Sequence, residues 1–344
     1  MRYFTYSHVK IAGIATAIPT NILEKEGVNL AVSSEEQTTS DLGFEAAQHI
    51  LTTYSVEPHE IGVLIFLTKT PDYRGPATAM VIQHRLKIPQ DCIVYDAPCG
   101  NAGFEQGLNL GASLLGSIHQ KYAMVVFGDT LSKQLAQKDI YNLNFQDGAS
   151  ALLLEKQSKN NTITIGITTL SDFWKNVMIP SGGFRNATTF FKSLEGKRPH
   201  QLEEHFHINE TSLEEHLTDA FMEIKAELIK IMSKDPNDSF TICVNLMLPS
   251  LEKEFKNIML IDEFSKVKLV LHSETVANMM GATTPHVLAM LNEHACMNTS
   301  RVISISLGEG LSINLACFDT QDTLFLKTMK TDQVFDNGQV THEM

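Results

Sequence analysis

Val94-Tyr95-Asp96-Ala97-Pro98-Cys99-Gly100-Asn101-Ala102-Gly103-Phe104-Glu105-Gln106-Gly107-Leu108-Asn109-Leu110-Gly111-Ala112 is the stretch on which the fold turns. It opens as a short apolar strand and breaks at Pro98 and Gly100. It continues as a helix dense in small residues: Ala102, Gly103, Gly107, Gly111 and Ala112. Each glycine costs a helix roughly 1 kcal/mol relative to alanine. A helix that carries several is expected to lie buried, in close contact with other backbone. A strand, a sharp turn and a helix start together aim free N–H groups and a partial positive charge at one point. That setting favours a thiolate or an oxyanion.

Outward from this unit the chain alternates strands and helices. On the N-terminal side the pattern predicts a buried strand at 9–14, a polar and acidic segment at 21–39 and a helix capped by Ser40 through Tyr54. A strand at 61–67 and a helix opened by Pro76 through Leu86 follow. On the C-terminal side it predicts strands at 122–127 and 149–154, the second led in by Asp147-Gly148. The rest reads as a bridging strand at 162–170, an irregular segment at 171–206 and a helix capped by Ser212 to Met232. Strands at 240–248 and 267–272 follow, with a helix from Pro249 between them. A small-residue turn and helix at 278–294, strands at 302–306 and 311–318, and a polar tail at 331–344 complete the chain. Trp174, the sole tryptophan, reads as a packing residue.

The second series repeats the order of the first. Asn101 and Asn278 each open a helix after a strand, and Asp147-Gly148 matches Gly308-Glu309-Gly310. Alternating strands and helices predict an α/β protein with mainly parallel sheets and right-handed crossovers. The repeat predicts two similar halves, 1–165 and 166–344, with both small-residue helices sandwiched between two sheets.

Composition narrows the function. Of 344 residues, 43% are hydrophobic and 19% charged, as in a globular protein with a large core. A net charge of −13 argues against nucleic acid and anionic membrane as partners. No apolar run approaches the roughly 18 residues of a membrane span. The N-terminus lacks an apolar segment of the signal-peptide type. Five cysteines without Cys-x-x-Cys spacing suit a reducing compartment, with no disulfide framework and no zinc site. A cytoplasmic protein without metal or cofactor is expected. His205-x-His207 reads as a solvated loop rather than a metal pair. Lys192, Lys197, Arg198 and His200 form a short basic run that could meet an acidic carrier protein, although a solvated loop is the simpler reading.

The central stretch resembles the nucleophile turn of the thiolase superfamily, and most closely the β-ketoacyl-ACP synthase III-like condensing enzymes. In that family a strand Asp is followed five residues later by the catalytic Cys, then a small residue, Gly and Phe. Asp96, Ala102, Gly103 and Phe104 stand in the framing places, and Asn101 stands in place of Cys. Cys99 lies two places early. Further landmarks follow in order: Thr68 through Gly75-Pro76-Ala77-Thr78-Ala79, Gly128-Asp129 with Ser132, and Phe145-Gln146-Asp147-Gly148-Ala149-Ser150-Ala151. Ala277-Asn278-Met279-Met280-Gly281 resembles the segment of the catalytic Asn. Leu307-Gly308-Glu309-Gly310-Leu311 resembles the oxyanion strand.

The resemblance implies a duplicated thiolase-like fold, a five-layer αβαβα sandwich. It also implies a dimer through a sheet edge, homodimeric or with a related ketosynthase, and acyl-carrier protein or acyl-CoA as partners. It places Asn245 where the family has its His, retains Asn278 as the third catalytic position, and puts Glu309 in place of the middle glycine. Residues 21–39 contain no Trp or Arg of the kind that contacts coenzyme A in the family.

A carboxamide has no nucleophilic pair usable at neutral pH and cannot shuttle a proton. Asn101 and Asn245 therefore read as structural, hydrogen-bonded residues, and Cys99 as a small buried residue. The leading expectation is a catalytically degenerate subunit that pairs with a Cys-containing ketosynthase and shapes its acyl site. One alternative is an acyltransferase using Cys99, with His272 or His286 as base. Another is a malonyl-thioester decarboxylase in which the Asn101 amide mimics an acyl carbonyl. A third is an apolar-chain binder lined by Met247, Met279 and Met280.

Overall fold

Ile61–Leu67 is apolar at every side-chain-bearing position, and all seven residues are buried. A strand of this kind must be covered on both faces, and the rest of the architecture does so. The computed structural model describes residues 1–25, 27–135, 144–157, 162–180, 207–235, 238–259, 267–297 and 299–335.

The N-terminal part contains β1 (Arg2–Tyr6), β2 (Val9–Pro19), a hairpin of β3 (Ile22–Lys25) and β4 (Val28–Ala31), and α1 (Thr39–Tyr54). It continues with β5 (Ile61–Leu67), α2 (Thr78–Leu86), β6 (Ile93–Ala97), α3 (Gly103–Ser117), β7 (Tyr122–Asp129) and β8 (Gly148–Lys156). Then come β9 (Ile163–Thr169), the short pair β10 (Val177–Met178) and β11 (His207–Ile208), and α4 (Glu210–Met232). β12 (Phe240–Asn245), α5 (Pro249–Met259), β13 (Val267–Leu271) and α6 (Thr283–Glu293) lead to β14 (Arg301–Gly308) and β15 (Ser312–Asp319). The last strands are β16 (Leu324–Phe325) and β17 (Met329–Thr331).

The duplication is visible in the sheets. The first runs β16-β2-β8-β7-β5-β6, and the second runs β1-β9-β15-β14-β12-β13. Both contain the same five-strand order, β2-β8-β7-β5-β6 against β9-β15-β14-β12-β13. The expectation of mainly parallel sheets is corrected here. In each five-strand unit the two pairings made by β5 or β12 are parallel. The two made by β8 or β15 are antiparallel. The reason is visible between β14 and β15: only three residues join them, and a link that short can only reverse the chain.

The layers are αβαβα. Helices α1 and α2 cover the outer face of the first sheet, with Ala46, Ala47, Ile50, Leu51, Ile82 and Leu86 packed on Leu64, Phe66, Val126 and Leu153. α3 and α6 lie between the sheets among Val125, Phe127, Leu152, Val302 and Phe318. α4 and α5 cover the second sheet with Leu213, Leu217, Phe221, Leu228 and Phe255 against Ile303, Ile305 and Leu315. α3 earns its central place through its glycines: a Cβ at Gly107 would meet Phe127 Cε1 at 2.5 Å and Leu67 Cδ1 at 2.7 Å.

The ends of the chain cross between the sheets. β1 pairs with β9 in the second sheet, while β16 and β17 pair with β2 in the first. The sequence pattern places the first strand at 9–14 and so omits β1, whose side chains are mostly exposed. The polar tail is likewise corrected at its start: β17 covers Met329–Thr331, and the Phe335 N–H bonds Asp41 Oδ1 at 2.9 Å. Helix starts shift by a few residues. Thr38 caps α1 with Asp41 in a reciprocal capping box. Asn209 caps α4 by accepting the Ser212 N–H. α2 begins at Thr78, two residues after Pro76, where the Asp96 carboxylate takes the Thr78 and Ala79 N–H groups at 2.6 and 2.8 Å. Trp174 is half exposed, with Lys175 beside its ring, so it is not a packing residue: it follows a one-turn helix, 171–173, on the surface.

Candidate functional site

Three asparagines that lie far apart in sequence meet between the sheets. Asn101 sits in the turn from β6 into α3. Asn245 is the last residue of β12. Asn278 sits in the turn from β13 toward α6. Each side chain is buried, with at most 1% of the residue exposed. Carboxamides carry two donors and an acceptor oxygen, and here they serve one another. Asn101 Nδ2 donates to the backbone oxygens of Asn245 and Leu307 at 2.9 and 2.8 Å. Asn278 Nδ2 donates to Asn101 Oδ1 at 3.1 Å and Asn245 Oδ1 at 3.3 Å. Asn245 Nδ2 reaches the Met280 carbonyl at 3.2 Å. Asn278 Oδ1 accepts from the Met280 N–H at 2.6 Å and the Thr283 hydroxyl at 3.1 Å. The result is a closed polar network, as burial requires.

Beside it stands Glu309, in the turn between β14 and β15. Its carboxylate accepts the N–H groups of Gly100 at 3.3 Å and Asn101 at 3.1 Å. These are the donors just ahead of α3, where the helix field favours an anion. The protein supplies that anion itself. The contact requires glycine at 100, since a Cβ there would lie 2.0 Å from Glu309 Oε1. Gly308 is constrained too: a Cβ would lie 2.6 Å from that of Ala102. Gly310 turns the chain with φ +64°. In sequence, Glu309 stands only in place of the middle glycine of the family's strand. The structure turns its carboxylate onto the N–H groups ahead of α3.

Two further buried carboxyls flank the network, and the sequence reading assigned a role to neither, although Asp129 belongs to one of its landmarks. Asp129, at the end of β7, accepts at one oxygen from the N–H groups of Lys69 and Thr70 and the hydroxyls of Thr68 and Thr70. Burial pushes its pKa up to about 7 against those hydrogen bonds. Glu105, in the first turn of α3, accepts from the Ser306 hydroxyl, and burial raises it likewise to about 7. The available signal for Glu105 was an acidic residue on a helix otherwise filled with small and apolar residues.

Cys99 is partly exposed and donates to Gln106 Oε1 at 2.8 Å. Burial pushes its pKa up to about 11, with Lys69 pulling down and Glu309 pushing up. At neutral pH it is a thiol, not a thiolate. His272 is buried with Nδ1 on Glu252 Oε1. His286 is buried, and its pKa falls to about 4, which leaves it neutral. Met247, Met279 and Met280 are fully buried in the two clusters that flank the network, so they fill core. The basic run Lys192, Lys197, Arg198 and His200 lies outside the described residues, as does His205. Among the described residues no group of three His, Cys, Asp or Glu could hold a metal ion, and no helix is long and apolar enough to cross a membrane.

A family model for 3-oxoacyl-[acyl-carrier-protein (ACP)] synthase III matches residues 95–172, the span that contains Asn101. The β-ketoacyl-[acyl-carrier-protein] synthase III of Rhizorhabdus wittichii is 32% identical over 154 residues, 43% of this chain and 48% of that protein. A second such synthase, from Bacillus cereus, is 31% identical over 170 residues, 44% of this chain and 52% of that protein. The chain thus spans about half the length of these curated relatives. Among solved structures, the 3-oxoacyl-(acyl-carrier protein) synthase from Burkholderia xenovorans LB400 superposes with TM-score 0.81 at 22% identity, over 96% of this chain and 99% of that one. The 3-oxoacyl-[acyl-carrier-protein] synthase III of Aquifex aeolicus VF5 superposes with TM-score 0.71 at 16% identity, over 90% of this chain and 99% of that one. These structural matches establish the fold. With the architecture matched over nearly its whole length and the sequence matched around the central turn, the chain is a thiolase-fold protein similar to the 3-oxoacyl-ACP synthase III enzymes.

Proposed function

We propose that this chain is a β-ketoacyl-ACP synthase III-like protein of fatty-acid- or polyketide-type biosynthesis that has given up acyl transfer. In this reading it acts as a cytoplasmic, non-catalytic subunit, paired with a Cys-containing ketosynthase whose acyl site it shapes. The observation that carries the reading is the Asn101 side chain. It stands where the resemblance puts the nucleophile, it is 1% exposed, and its donors and acceptor are held by Asn245, Leu307 and Asn278. A thioester carbonyl would have to displace that network and then find its oxyanion donors already on Glu309.

The same facts weigh against the alternatives. A decarboxylase would need an Asn101 oxygen open to the substrate. An acyltransferase through Cys99 would need a thiolate, and this thiol sits near pKa 11. The edge strand β6 offers the pairing surface for the partner. Its residues are half-buried throughout, it has one hydrogen-bonded neighbour in the sheet, and it carries neither proline nor lysine. Edges of that kind are commonly covered.

The test is co-expression with a Cys-containing ketosynthase from the same source. A co-purifying complex with altered product chain length is expected. Separate elution, with unchanged products from the ketosynthase, would remove the proposal.

A further inference from the structure

A second concentration of charge lies beside the asparagine network. Lys69 follows β5, and its backbone N–H is pinned to Asp129 at 2.7 Å. Its ammonium reaches Glu309 only at 4.0 Å, with the side chain 25% exposed. A cation paired at that distance keeps much of its field. Lys69 lines a cavity of about 550 Å³ together with Arg74, Lys133 and Tyr73. Lys133 is oriented by the carbonyls of Glu35 and Gln37 at 3.0 and 2.6 Å, which hold the ammonium without cancelling its charge. The lining contains one carboxylate, Asp72. Asp72 accepts the Ser40 N–H at 3.1 Å, which turns that oxygen toward the start of α1.

Three basic side chains around one concave site stand out in a chain of net charge −13 with 27 Lys and Arg in all. Clefts lined by one sign of charge focus the field on what they contain. We infer that this cavity binds a small phosphate-type oxyanion, free or as the phosphate group of a small ester, with Lys69 as its anchoring cation. A tetrahedral oxyanion accepts from several directions at once, which suits the Lys69 and Lys133 ammonium groups, carried by separate segments of the chain. Binding exchanges the long Lys69 to Glu309 contact for a direct one to the ligand.

Calorimetric titration of the full chain with inorganic phosphate and, in parallel, with glycerol 3-phosphate at constant ionic strength tests this. Saturable one-site binding is expected, weakened about tenfold or more in Lys69→Met and unchanged in Lys327→Met. Tighter binding of the ester would identify an ester as the occupant, and equal or weaker binding would identify the free ion. A second readout needs no variant: phosphate should protect Lys69, and not Lys327, from acetic anhydride labelling measured by peptide mass. Absence of saturable binding by both probes, binding unaltered in a folded Lys69→Met protein, or no protection of Lys69 would overturn the assignment.

Discussion

At the scale of single residues, the centre of this molecule is organised by hydrogen-bond demand. Asn101 satisfies two backbone carbonyls and one amide at once, which a thiol cannot do. Asn101→Cys is therefore expected to lower stability by about 2–4 kcal/mol, because buried carbonyls lose their donors. It should still form no thioester, since Glu309 remains on the N–H pair and Asn245 cannot act as base. Urea unfolding and intact mass after incubation with acyl-CoA check the two halves of that expectation.

The buried carboxyls Glu105 and Asp129 give a pH signature. Both have folded pKa values raised to about 7, against roughly 4 in the unfolded chain. Below about pH 4 both states are protonated and the groups cost nothing. As pH rises from there through about 7, the unfolded chain releases protons the native one retains, and stability falls. Glu105→Gln keeps an acceptor for Ser306 and removes one titration. It should flatten the decline and be more stable than the parent at pH 8, as measured by thermal melts across pH.

At the scale of elements, α3 shows how composition translates into position. Its glycines are not equivalent. Gly107 lies against Phe127 and Leu67, where an added Cβ has no room. Gly116 has nothing within 4 Å of the same atom. Gly107→Ala should destabilise by about 1–3 kcal/mol through overpacking. Gly116→Ala should stabilise by about 0.5–1 kcal/mol through helix propensity and reduced chain entropy. Opposite shifts in urea midpoint for the two variants would establish that the helix is glycine-rich for contact with the sheet. The sequence alone gave α3 its small-residue stripe and its burial. It could not rank the glycines, because that depends on which sheet residues each one meets.

At the scale of the whole molecule, the halves are interlocked. β1 completes the second sheet, and β16 and β17 complete the first. The Thr323 hydroxyl and Thr20 N–H tie the same ends across, to the carbonyls of Ile11 and Thr331. Cutting the chain at 165/166, within β9, should therefore yield no half that folds alone, and the intact chain should unfold as one cooperative unit. Separate expression of the two pieces, and coincidence of far-UV and near-UV circular dichroism during unfolding, check this. Independent folding of either piece would contradict it. Trp174 is half exposed, so its fluorescence is a poor reporter of the core in such experiments.

The sequence by itself determined the α/β alternation, the internal repeat, the buried small-residue helix, and the residue types at 101, 245 and 278, where neither thiol nor imidazole is present. Those properties are local: periodicity, glycine content and side-chain chemistry are written in neighbouring residues. Tertiary structure alone decided that the three amides close on one another, that Glu309 caps the turn before α3, that half of the core strand pairings are antiparallel, and that the chain ends change sheets. The physical reason is separation. The contacts that make the centre join residues 144, 177 and 208 positions apart, and which buried donor finds which acceptor is settled only when the two sheets pack around α3 and α6.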